Sequence, residues 1–137
     1  MLVQTDPKWA DVQIAKGVTI GKEGCLLICV CSANEILGNP VSPNLLATQL
    51  LEAGGFGPTG DLLWGKLRET SSCLWLYTGN GDPPIPNLKV IEYKSPQGSH
   101  FVLEYEGKEY DPKPGTARLG IKSVRQLALI EQKVTVA

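Results

Sequence analysis

The chain contains one histidine, His100, so any chemistry that needs an imidazole at neutral pH must use this ring. It lies in the stretch Ser99-His100-Phe101-Val102-Leu103-Glu104-Tyr105-Glu106-Gly107-Lys108-Glu109-Tyr110-Asp111-Pro112, which reads as two short strands around a Gly-containing turn. With Glu106 and Gly107 as the central turn residues, Val102 faces Asp111, and Asp111 shares a sheet face with His100, diagonal to it. A turn centred on Gly107-Lys108 keeps that parity, whereas a three-residue loop moves Asp111 to the other face. The carboxylate is then expected to hold the ring tautomer through Nδ1. Far upstream, Gly24-Cys25 precedes Leu26-Leu27-Ile28 at what reads as a helix start. Unpaired N–H groups there favour an anion and lower the thiol pKa from roughly 8.5. Gly24 admits close approach of a substrate to the backbone, and the Cys25 N–H is a natural oxyanion donor. A thiol, an imidazole and a carboxylate together point to a cysteine hydrolase. The plain alternatives are a space-filling cysteine, a surface histidine and an Asp-Pro turn starter.

The elements that must position these groups are marked off by prolines and glycines. Residues 1–23 show no sustained periodicity, and Asp6-Pro7-Lys8-Trp9 forms a turn-like start with an aromatic anchor. Cys25 to Leu37, mostly apolar and stopped by Gly38-Asn39-Pro40, predicts a buried central helix, although a short apolar run also fits a strand. Ser42-Pro43-Asn44 predicts a second helix, with Ser at the N-cap and Pro in the first turn, ending at Gly54-Gly55. Asp61 to Glu69 predicts a short third helix. Leu74 to Tyr77 and Leu88 to Tyr93 read as strands separated by a loop, and Ser123 to Gln132 predicts a short terminal helix. Helices first and antiparallel strands second indicate an α+β domain spanning residues 1–137.

Composition narrows the function classes. With 42% hydrophobic and 20% charged residues the chain folds rather than staying disordered. Thirteen basic against fourteen acidic side chains leave a net charge of −1 with no basic stripe, which speaks against nucleic acid and membrane surfaces as partners. The run from Cys25 to Cys31 is too short to span a bilayer, and no Sec-type signal is visible. Three of the four cysteines sit in one seven-residue segment, so free thiols in a reducing, cytoplasmic compartment are expected, with export by another route left open. Cys25, Cys29 and Cys31 do not have the paired spacing of a zinc site, which would need Cys73 and His100 to complete it. Gly54-Gly55-Phe56-Gly57 lacks the Lys-Ser/Thr of a phosphate loop. The three tryptophans are expected to pack the core or line a groove.

The ordered motifs carry a family resemblance. Gln4-Thr5-Asp6-Pro7-Lys8-Trp9, Thr19-Ile20-Gly21-Lys22-Glu23-Gly24-Cys25, Trp64-Gly65-Lys66-Leu67 and His100-Phe101-Val102-Leu103 with Asp111-Pro112 follow one another from Gln4 to Pro112. In this the chain resembles papain-like cysteine peptidases of the bacteriocin-processing, double-glycine type, in their stand-alone form. The resemblance implies a papain-like fold, with Cys25 as nucleophile, His100 as base, Asp111 as orienting group and Gln4 as oxyanion-hole amide; Gln13 is the alternative to Gln4. Relatives of this kind often carry small or polar residues just after the cysteine, whereas Leu26, Leu27 and Ile28 are bulky.

The expected function is hydrolysis of a peptide, isopeptide or amide bond in a peptide or protein substrate, without a cofactor or metal. The alternatives are a catalytically silent module of the same fold and an amidase or endopeptidase acting on cell-wall peptides.

Overall fold

The computed structural model describes residues 2–77, 79 and 81–129. It is a mixed α+β structure in which a helical N-terminal half packs on an antiparallel sheet. A small ribbon, β1 (Gln13–Ala15) with β2 (Val18–Thr19), leads into the single-turn α1 (Ile20–Glu23) and then α2 (Cys25–Ile36). Every residue of α2 from Cys25 to Asn34 is buried. A helix that is apolar all round can be stable only inside, and this one is covered by α3 (Pro43–Ala53) on one side and by the sheet on the other. α3 begins and ends as its sequence dictates: the Ser42 hydroxyl accepts the Leu45 N–H at 3.1 Å, Pro43 occupies the first turn, and Gly54 closes it in the left-handed conformation. The third helix is shorter than expected. Residues 61–63 stay irregular and a 3-10 helix forms only over Trp64–Glu69.

The five-stranded sheet has the order β3-β7-β4-β5-β6, with β3 Leu74–Leu76, β4 Leu88–Ser95, β5 Gly98–Tyr105, β6 Lys108–Tyr110 and β7 Ile121–Leu129. β5 and β6 pair as Leu103↔Tyr110 and Tyr105↔Lys108, so Glu106 and Gly107 are the central turn residues. Both have positive φ, 54° and 76°, the conformation of a two-residue hairpin turn that suits the twist of its strands. This register brings His100 and Asp111 to one face, as the sequence indicates.

The expected terminal helix over Ser123 to Gln132 is not formed. Residues 123–129 belong to β7, while 130–132 lie outside the described residues. The reason is tertiary. β7 fills the gap between β3 and β4, pairing Leu74↔Leu129 on one side and Val90↔Arg125 on the other. Ser123, Arg125 and Leu127 share the face that β4 turns to α2, but only Leu127 is apolar, because Ser123 and Arg125 approach Glu92 of β4. The alternation that would have marked a strand is therefore lost.

Trp9, Leu27, Ile28, Leu46, Leu50, Leu67, Leu88, Leu103 and Leu127 belong to one core cluster. All four cysteines are free thiols. Among the described residues no helix is long and apolar enough to cross a membrane.

Candidate active site

The head of α2 lies against the start of β5. The Cys29 thiol donates to the Phe101 carbonyl at 3.5 Å, and the Phe101 N–H approaches the Cys25 sulfur. Cys25 is the first residue of α2 and is buried. Gly24 before it is required by the chain itself: a Cβ there would lie 2.5 Å from the Ile20 carbonyl oxygen and 2.7 Å from the Ile20 Cγ2. The glycine thus lets α2 follow α1 without a clash, a role nearer the backbone than the substrate access read from the sequence.

Burial pushes the Cys25 thiol above its ordinary value, and the neighbouring Glu23 charge adds to this. The N–H groups of Phe101 and Leu26 pull the other way without reversing the direction. At Cys25 the loss of water thus raises the thiol more than the helix-end N–H groups lower it, whereas the sequence reading expects a lowered value.

His100 is 2% exposed and is paired across the sheet with Tyr93. Its Nε2 lies 2.8 Å from Asp111 Oδ1. The expected contact through Nδ1 is thus replaced by one through Nε2, which leaves Nδ1 as the nitrogen not engaged by the carboxylate. Asp111 Oδ1 also accepts the Lys113 N–H at 2.9 Å, and Oδ2 accepts from Arg118 Nη2 at 2.7 Å. Burial pushes the Asp111 carboxyl up, but the bonds from Arg118, Lys113 and His100 prevail and hold it below its ordinary value.

Gln4 arrives from the N-terminal arm. The Trp9 indole N–H donates to the Val3 carbonyl at 2.8 Å, and the Gln4 N–H donates to the Pro112 carbonyl at 2.8 Å, next to Asp111. The Gln4 side chain is 2% exposed, with Nε2 donating to the Gly21 carbonyl at 3.1 Å and Oε1 without a partner among the described residues. Gln13, the alternative, sits exposed in β1.

Gln4, Cys25 and His100 line a single small cavity of about 30 Å³, room for one or two water molecules. Cys25 also stands on the wall of a cleft of about 430 Å³ between the helical part and the sheet, with Leu26, Phe56, Leu62, Trp64 and Phe101 as its apolar lining. Of the tryptophans, Trp64 lines this cleft, Trp9 is in the core, and Trp75 lies under the Arg68 guanidinium at 3.6 Å. Among the described residues no three His, Cys, Asp or Glu side chains are grouped as metal ligands would be.

Two features escape a reading of the sequence. Arg118 grips Glu109 with both nitrogens at 2.7 Å while bonding Asp111, and it lies over the Tyr93 ring at 4.7 Å. The only signal was that Glu109 and Asp111 are two residues apart, hence on one face. Glu92, in the wall of the cleft, accepts hydroxyl bonds from Ser99 at 2.6 Å and Ser123 at 2.9 Å, an arrangement hidden until β7 is recognised as a strand. Comparisons with family models, with curated proteins and with solved structures return no match for this chain.

Proposed function

We propose that the protein is a cysteine peptidase with a papain-like arrangement, similar to the stand-alone bacteriocin-processing type, acting on a peptide or protein substrate. The reading is carried by one observation: His100, its imidazole buried and hydrogen-bonded to Asp111, lines the same small cavity as the helix-head Cys25 and Gln4. In the reaction, His100 takes the Cys25 proton through Nδ1, since Nε2 is held by Asp111. The sulfur attacks the substrate carbonyl carbon, and its oxygen becomes an oxyanion. The Cys25 N–H and the second N–H of Gln4 Nε2 stabilise that oxygen, each donor worth about 2.7–4 kcal/mol. Collapse breaks the C–N bond as His100 returns the proton to the leaving amine. A water deprotonated by His100 then cleaves the thioester, releasing the acid and restoring the thiol. The cleft beside Cys25 suits an extended peptide, and four free thiols suit a reducing compartment.

Iodoacetamide labelling at mildly acidic pH tests the reading. Cys25 is expected to react at least about tenfold faster than the half-buried Cys73, and His100→Ala to abolish the difference. A Cys25 no faster than Cys73 would sink the peptidase reading and leave a silent module of the same fold.

A further inference from the structure

We propose that Arg118 and Glu109 are a positioning pair for His100: Arg118 fixes the Asp111 carboxylate, and Glu109 offsets the guanidinium charge so that the imidazole keeps a full negative partner. The inference rests on the peptidase reading and adds to it residues that do not touch the reacting atoms. Arg118 is not a loose surface cation. Its loop is pinned to β4 by Leu119 N–H donating to the Lys94 carbonyl at 2.8 Å and Lys94 N–H donating to the Gly120 carbonyl at 2.8 Å. Its guanidinium lies over Tyr93, the cross-strand neighbour of His100. From there one Nη2 bonds Asp111 Oδ2 and also Glu109 Oε2, while Nη1 bonds Glu109 Oε1, all at 2.7 Å. A planar fork held at both ends fixes the carboxylate plane, which in turn fixes the ring bonded to Oδ1 at 2.8 Å.

Charge explains why Glu109 is there. A guanidinium shared with Asp111 alone would cancel the carboxylate and deprive the imidazolium of its counter-ion. With Glu109 included, the three formal charges leave one net negative charge beside His100. The other titratable groups that share the small cavity with His100 are Cys25 from α2, Lys22 and Glu23 from α1, and Lys113 from the loop after β6; Tyr93 from β4 is its cross-strand neighbour, and Cys29 of α2 lies within the field of Asp111. Neither the Arg118–Glu109 bonds nor the Arg118–Asp111 bond requires any of them.

Because His100 is the only histidine, its ring can be titrated directly by NMR of histidine-labelled protein. A Cys25→Ser background removes the thiol as a coupled proton donor. The titration midpoint is expected to fall by about half a pH unit or more in Glu109→Gln and to rise by a similar amount in Arg118→Met. A role limited to folding would not move the two in opposite directions. An unchanged midpoint in either folded variant overturns the proposal; should Arg118→Met fail to fold, the exposed Glu109→Gln decides alone. Alkylation of Cys25 in the unmodified protein separates the two claims. A silent Cys25 with both shifts present removes only the peptidase reading, while a reactive, His100-dependent Cys25 with no shifts removes only the positioning pair.

Discussion

Glu92 shows how much a single carboxylate can hold together in this sheet. Burial pushes its carboxyl up, but the hydroxyls of Ser99 and Ser123 and the charges of Lys122 and Arg125 together bring it below the ordinary 4.5. A carboxyl whose folded value is depressed adds stability above about pH 4.5 and loses it as the pH falls through the folded value. Glu92→Gln is therefore expected to lower the unfolding free energy by about 1–2 kcal/mol at neutral pH. The gap from the unmodified protein should narrow as the pH falls through the depressed folded value, as read from urea unfolding at neutral and at acid pH. A gap that stays constant with pH would show that packing, not charge, sets the cost. At this scale the sequence exposed Cys25, His100 and Asp111, because thiol, imidazole and an Asp-Pro hairpin end are chemically distinct. It did not expose Arg118, one of several similar cations, whose importance comes only from where a loop delivers it.

Among the elements, α2 has two ends with different duties. Its head presents Cys25 and its tail carries Asn34, which is fully buried. The Asn34 amide donates to the Val30 carbonyl at 2.8 Å and Ser72 Oγ at 3.0 Å, while its oxygen accepts the Cys73 N–H at 2.9 Å and the Asn39 amide at 3.0 Å. This one side chain ties the helix to the segment that becomes β3. Asn34→Ala leaves buried donors unmet and is expected to cost about 2–4 kcal/mol, visible as a lower urea midpoint with an unchanged slope. A loss below about 0.5 kcal/mol would mean that water replaces the network. The hairpin register was legible because a turn of fixed length leaves no freedom of parity, and α3 because its caps are spelled out in Ser42, Pro43 and Gly54. β7 was not legible, because its inward positions are occupied by Ser123 and Arg125 to answer Glu92.

For the molecule as a whole, β7 decides whether the sheet is one body. It joins β3, which packs on the 3-10 helix, to the β4–β5–β6 meander that carries His100. Leu127 is fully buried in the common core, whereas Val124 on the same strand is 52% exposed. Leu127→Ala is expected to lower the unfolding free energy by about 2–5 kcal/mol, and Val124→Ala to change it by less than about 0.5 kcal/mol, both from thermal or chemical melts. Equal small effects would mean that β7 is an appended strip rather than part of the core. The overall α+β class was readable from the order of helices and strands; the return of the chain to the middle of its own sheet was not, since long-range pairing leaves no local mark.

That return has a consequence for how the molecule comes into being. As the chain leaves the ribosome, the thiol-bearing helix emerges first and the imidazole hairpin later, while the strand that welds the two halves of the sheet emerges after both. Pairing across such distances in the chain is slow, so nascent protein passes through a stage with Glu92 unshielded by its later partners and a sheet edge open to strangers.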